Sequence, residues 1–531
     1  MTQIHRRRLL QAAAAFGAGP LAGWSLEAMA QAARGGVLVI GTTQRPRHLN
    51  SAVQSGIATM MPAAQIFASP LQVDAQWKPK PYLAERFELS HDNRSVKLVL
   101  RAGAVFHDGR PITAEDLKFS IETIRDHHPF RTMYGPVNAV TIEDARTAVV
   151  RLSEPHPAVL LAMSTSLTPI IPRHIFGDGT DPKIHPRNAN PVGSGPFRLV
   201  EFKPGEVTVM ERFDRFFLKD LPRLDRIIIK EYKDPSSLLL AFEKGEVDVH
   251  SLLTDAREIE RVKKVPGAQV ISEGGRAIGP LVWLAFNTKS PKLADKRVRQ
   301  AISFALDRKM ILEQLLGGVN KAATGPISAA SPFYSADVEK YAHNLAKATQ
   351  LLDAAGLKPG ANGVRLALEV DAIPGSAEFK MLQEYTKPAL AKVGIDVSVR
   401  LSPDFPTWAR RVSTGQFEMT YDTVWNWGDP VIGVHRTWLS SNIRPGVIWS
   451  NTQGYSNPKV DELLAAAGKE MNLAKRKALY KDMQKIVVDD CPVAFLYETS
   501  STTGFRANVA NPPRGVWGLI DSMNDVGVGK A

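Results

Sequence analysis

The chain has 531 residues, 44% apolar, 23% charged and 8% aromatic, with 66 Lys and Arg against 54 Asp and Glu and a formal net charge of +12. That length exceeds what one hydrophobic core usually organises, so two or more lobes are expected, and the composition excludes a disordered or collagen-like chain. The basic excess is spread without long runs, which argues against a nucleic-acid partner, and the single cysteine, Cys491, excludes an intrachain disulfide and a Cys-rich metal site.

Residues 1–30 read as an export signal: Arg6, Arg7 and Arg8 precede Leu9-Leu10, an Ala-rich apolar stretch runs to Leu26, and Ala28-Met29-Ala30 is a small-x-small cleavage site. The Arg6-Arg7 pair resembles a twin-arginine signal. No later run reaches the roughly 20 apolar residues of a membrane span, so the mature chain is expected to be soluble and outside the cytoplasm.

Gly36 to Ile40 and the alternating Val96, Leu98 and Leu100 predict strands, and Thr113 with Asp116 predicts the start of a helix carrying Leu117, Ile121 and Ile124. Pro191 to Phe197 is a Gly/Pro-rich turn, a candidate crossover between lobes, leading into a strand from Phe197 to Phe202. From Asp295, Val298, Ala301, Ile302, Ala305 and Leu306 recur at helical spacing, and a second helix ends at Gly317-Gly318. Val364–Val370, Ile395–Leu401 and Glu418–Trp425 predict strands alternating with helices over Ala377–Lys392, shortened or kinked by Pro388, and Asp404–Thr414. A β-α-β-α-β unit implies parallel strands, and ligand crevices in such sheets lie beyond the strands' carboxyl ends. Just past the third strand is Trp425-Asn426-Trp427-Gly428-Asp429-Pro430, and Trp408, Trp425, Trp427, Trp438 and Trp449 fall in this region. Their large rings with one polar edge suit a cleft around a small molecule.

Several segments together resemble the family-5 extracellular solute-binding proteins, the dipeptide, oligopeptide and nickel-binding type that serves ABC transporters. They are Leu83 to Phe87 with Phe106 to Asp116, the Pro191 to Phe197 turn, Asn287 with Asp295 to Arg308, and Tyr455 to Pro458 with Val460-Asp461. The resemblance implies an α/β, two-lobed periplasmic binding protein of the large type II form, closing over its ligand by hinge motion. Its expected organisation is a signal over 1–30, lobe I over 31–85 and 191–277 with an extra subdomain over 86–190, lobe II over 278–489, and a return to lobe I over 490–531. It further implies a periplasmic, monomeric, non-enzymatic receptor without cofactor or metal, whose partners are a peptide or small solute and the permease and ATPase subunits of an importer.

Aligned on Gly428-Asp429-Pro430, the position of the carboxylate that holds a peptide's ammonium in relatives falls on Asn426, and that of an arginine facing the ligand's carboxylate falls on Ile373. Both departures weaken a dipeptide assignment, leaving Asp429 or Asp371 as substitutes, or an opine-like, sugar-derived or metal-chelate solute. The expected ligand contacts are Ser55 and Gly56 from lobe I and Trp283, Trp425, Asn426, Trp427, Asp429, His435 and Arg436 from lobe II. His435 and Arg436 suit a chelate or an anion, with an ordinary surface pair as the alternative. Asn287, Arg297 and Arg299 are expected to be structural, and His127 and His128 solvent-exposed. An exported hydrolase is the rival class, but Gly193-Ser194-Gly195 lacks the spacing of a nucleophile elbow. A sensor or chaperone that uses the same closing lobes is the other non-enzymatic reading.

Overall fold

The computed structural model describes residues 34–500 and 502–529; the export signal expected over residues 1–30 lies outside them. Lobe I is built on a seven-stranded sheet whose spatial order is Gln269–Ile271, Thr502–Phe505, Val249–Leu253, Val37–Thr42, Arg226–Glu231, Val207–Arg212 and Phe197–Lys203. Val37–Thr42 sits at its centre, parallel to Arg226–Glu231 on one side and Val249–Leu253 on the other. A separate four-stranded antiparallel sheet, Ala84–Leu89, Ser95–Leu100, Thr147–Leu152 and Val137–Asp144, carries the helix Ala114–His127. The Thr113 amide donates to Asp116 Oδ2 at 2.9 Å, so that helix starts where the sequence places it. The small sheet's apolar residues merge with those of lobe I into one continuous core, including Leu98, Leu117 and Ile121 beside Ile40 and Phe67.

Lobe II holds a six-stranded sheet in the order Lys321–Ala322, Val493–Glu498, Pro280–Phe286, Met419–Trp425, Leu366–Ala372 and Ile395–Val399. Leu366–Ala372 is parallel to both Ile395–Val399 and Met419–Trp425, giving the expected unit. The intervening helix Ala377–Ala391 continues through Pro388 rather than stopping at it, while Asp404 caps the helix Phe405–Ser413 through the Thr407 amide. Asp295 caps Lys296–Ala305, and Gly317 and Gly318 take positive φ of 69° and 78° after the following helical turns.

Two expectations about connections need correction. The return to lobe I begins after Glu498 and not at residue 490, because Val493–Glu498 is still paired with Pro280–Phe286 inside lobe II. Nor does the Pro191–Phe197 turn cross between lobes. It is pressed into lobe I, where a Cβ on Gly193 would stand 1.9 Å from the Ile66 carbonyl oxygen and one on Gly195 2.4 Å from that of Gln65. Ser194 Oγ accepts from the Ala68 amide and donates to the Ile170 carbonyl, each at 3.0 Å.

Candidate interlobe binding site

The polypeptide passes from lobe I to lobe II through Ala277–Pro280, and the Trp425–Pro430 turn packs directly on that passage. The Asn426 amide donates to the Ile278 carbonyl at 3.0 Å and the Gly428 amide to the Ala277 carbonyl at 2.5 Å. Trp427 adopts a left-handed φ of 51°, which turns its ring into the lobe I core against Phe130 at 5.0 Å between centroids. Only glycine fits at position 428, where φ is 82° and a Cβ would meet Leu161 at 2.8 Å. The turn is therefore a packed joint between the lobes.

Beside this joint lies a cavity of about 260 Å³ with walls from both lobes: Gln44, Ile57, His250 and Ser251 from lobe I, Thr423 and Trp425 from lobe II. A larger groove of about 1010 Å³, along Asn508 to Gly515 and Gln72 to Lys80, is lined by lobe I and the C-terminal tail alone, so lobe closure cannot enclose a solute there. The Trp425 ring stands edge-on to Trp449 at 5.7 Å, and Trp449 leans on Phe405 at 5.5 Å. Trp449 Nε1 donates to Asp422 Oδ1 at 3.1 Å.

Of the residues singled out from sequence, Trp425 lines the cavity. Ser55 and Gly56 stand just before Ile57 at the start of the helix Ile57–Ile66, Gly56 with a φ of 112°, so only their neighbour reaches the wall. Trp283 is 2% exposed within the lobe II core, edge-on to Trp438 at 5.5 Å and Phe495 at 5.9 Å. Trp408 and Trp438 are likewise core residues, so the tryptophans divide between packing and cleft instead of lining the cleft together.

Asn426 is occupied: the Ser328 amide donates to its Oδ1 at 2.7 Å and its Nδ2 donates to the Pro326 carbonyl at 3.3 Å. Asp429 caps the helix Pro430–Trp438 and makes two 2.6 Å bonds with the Arg476 guanidinium. Burial pushes the Asp429 carboxyl up, but Arg476 more than offsets this and holds it below its ordinary value. Asp371 is clasped by Arg411 at 2.8 Å, Arg400 at 3.3 Å and Ser402 Oγ at 2.9 Å. Neither aspartate is available to neutralise a ligand's ammonium.

His435 is buried, with Nε2 2.9 Å from Tyr480 Oη, and burial lowers its pKa to about 3, which corrects the surface-pair alternative. His128 is also buried, not solvent-exposed; its pKa falls to about 3 through burial and the Arg436 charge. Arg436 reaches across the lobe boundary to lie 5.0 Å from the centre of the Phe130 ring, a cation–π contact, and its Nε has no hydrogen-bond partner among the described residues. Burial brings the Asp422 carboxyl up to about 7, opposed by the bonds from Trp449 and Thr423 and by the Arg436 charge.

As expected, Asn287 and Arg299 are structural: Asn287 Nδ2 donates to the Gly415 and Phe417 carbonyls, and the Arg299 guanidinium donates to four backbone carbonyls. Arg297 pairs with Asp295.

His250, Ser251 and Glu258 were not singled out from the sequence, yet all three line the cavity. The only local signal is a polar His-Ser pair inside the otherwise apolar Val249–Leu253 strand. No group of three or more potential metal ligands occurs among the described residues.

The model of the bacterial extracellular solute-binding proteins, family 5 Middle, matches residues 78–446. The oligopeptide-binding protein AppA of Bacillus subtilis is 24% identical over 90% of this chain and 88% of its own length. Among solved structures, the binding protein DppA of Helicobacter pylori in complex with peptide STSA superposes with a TM-score of 0.80 at 21% identity, covering 95% of this chain and all of that one. NikZ of Campylobacter jejuni in complex with Ni(L-His) gives 0.77 at 24% identity, covering 90% and 95%. At these identities the structural likeness speaks for the two-lobed fold alone. The family model, spanning well over half the chain, shows that this protein belongs to the family-5 bacterial extracellular solute-binding proteins.

Proposed function

We propose that the protein is the exported receptor of an ABC importer: it encloses a small solute between its lobes and presents the closed form to permease and ATPase subunits, itself catalysing no reaction. The observation that carries this is the cavity walled by both lobes beside the Ala277–Pro280 passage. A solute touching both walls binds the closed form better than the open one and shifts the population toward it. About 260 Å³ lies just below the roughly 300–1,000 Å³ of chambers that hold drug-sized ligands, so the solute is small. Relatives that bind peptides make a short peptide the first reading. A non-peptide solute, opine-like or sugar-derived, is the second, favoured by the internal pairing of Asn426, Asp429 and Asp371.

Gentle purification of the mature protein, native mass spectrometry and identification of the released molecule test this. Mixed short-peptide masses support the first reading. One defined non-peptide mass replaces it with the second, and a protein that neither carries nor takes up any small solute overturns the receptor reading.

A further inference from the structure

We propose that Glu258 is the cation anchor of the interlobe cavity, its carboxylate receiving an ammonium group of the solute from the lobe I side. This rests on the solute-capture reading above and names the chemical class that the cavity selects. Glu258 lies in the first turn of the helix Ala256–Lys263, which Asp255 caps, and it lines the cavity. That turn faces lobe II: a Cβ on Gly317 would stand 2.9 Å from the Ala256 Cβ, and Val319 packs against the apolar group that holds Ile259 and Val262. The carboxylate is therefore carried at the boundary where the two lobes meet over a solute.

The Glu258 side chain is half-buried, and neither of its oxygens is sealed from solvent. Among the described residues its carboxylate accepts no hydrogen bond and forms no ion pair. Arg261, one turn further along the helix, gives its guanidinium to Glu243 instead, at 2.8 and 2.6 Å. Burial and the Asp255 charge push the Glu258 carboxyl up, opposed by Arg261, so the ionised form is held at a cost that a cation beside it would relieve. No Lys, Arg or Asp among the described residues lines the cavity, and His250, lowered by burial to about 4, is neutral near pH 7. The polar side chains of Thr43, Gln44, Thr254, Thr423 and Thr499 that share the wall are uncharged. Glu258 thus sets the sign of the charge in the chamber, attracting a cation and repelling a carboxylate. On the lobe II side Asp429 and Asp371 are already clasped by arginines, which leaves Glu258 as the carboxylate open to a cation. An ammonium, a donor three times over, matches a carboxylate whose lone pairs are free.

The test is equilibrium dialysis of the mature wild type and Glu258→Gln near pH 7 against two matched pairs, trialanine with N-acetyltrialanine and glucosamine with glucose, read by mass spectrometry. Within each pair one member carries an ammonium and the other does not. The expected result is that the wild type holds the ammonium-bearing member of a pair about 10-fold more tightly than its partner, the worth of one hydrogen bond to a charged group, and that Glu258→Gln brings the two within about 2-fold. Which pair shows the preference tells a peptide's amino terminus from an amino sugar. Equal retention of both members by the wild type, or a preference that survives in Glu258→Gln, overturns the inference and leaves the receptor reading standing. A wild type that retains none of the four removes the capture reading for these solute classes, and the inference with it. Glu258→Gln takes away charge but not shape from a half-exposed side chain; should its thermal melt fall away from that of the wild type, Glu258→Ala carries the same comparison.

Discussion

The Trp425–Pro430 turn of lobe II and the Val249–Leu253 strand of lobe I meet the same cavity from opposite sides, and their polar groups are in opposite condition. In and around the turn, Asn426 and Asp429 spend their hydrogen bonds within the protein, on Ser328, Pro326 and Arg476. On the strand, His250 and Ser251 line the cavity, and His250 Nε2 and Ser251 Oγ are buried with no partner among the described residues. The contrast separates two jobs that occupy one place. The chemically conspicuous turn forms the joint at which the lobes meet, while the plain strand carries polar atoms that the fold leaves unpartnered. Bonding capacity already used inside the fold cannot also recognise a solute, whereas unused capacity must be met by solvent or ligand.

The sharpest way to break that comparison is Arg476→Ala. It strands the Asp429 carboxylate in a buried site and is expected to cost about 3–5 kcal/mol of stability, seen in denaturant unfolding. A loss below about 1 kcal/mol would mean that the turn is not held by this pair. A smaller effect is expected from Asn426→Asp. The new carboxylate keeps the Ser328 amide but faces the Pro326 carbonyl, lowering stability by about 1–3 kcal/mol, and trialanine affinity in dialysis should not rise. A gain in affinity would show that position 426 does serve as an ammonium anchor.

Asp422 provides the finest measure, through pH. Its folded pKa of about 7 stands above the ordinary 3.8, so the native state holds a proton that the unfolded chain releases. The stability this contributes is fully present below pH 3.8 and is lost as pH rises to about 7, at no more than about 1.4 kcal/mol per unit. Melting temperatures between pH 4 and 8 should therefore fall less steeply in Asp422→Asn than in the wild type. Parallel curves would place Asp422 in a better-solvated setting than its burial implies.

Much of the fold was legible along the chain. Helix starts at Thr113, Asp295 and Asp404, and the alternation of strands and helices from Leu366 to Trp425, obey local rules of capping and periodicity that need no distant partner. The site was legible only in part. Trp425 lines the cavity, where an aromatic at the carboxyl end of a parallel strand was expected, but Trp283, expected in the cleft from the family resemblance, is core, and His250 and Ser251 were left out altogether. The boundary of the returning tail was misplaced because Val493–Glu498 is an ordinary apolar strand whose sheet is chosen by pairing across more than two hundred residues.

What the sequence determined by itself is the class of molecule: a long chain with two lobes' worth of apolar pattern, one parallel unit and a set of spaced segments typical of one family. Those properties reside in composition, periodicity and local order. The tertiary structure alone decided which polar groups are consumed and which remain open. Asn426 meets Ser328 and Asp429 meets Arg476 only once distant segments pack, and His250 and Ser251 both reach the cavity wall only because the strand loses its regular alternation there. Hydrogen-bond satisfaction belongs to the folded arrangement of partners, and no residue carries it alone.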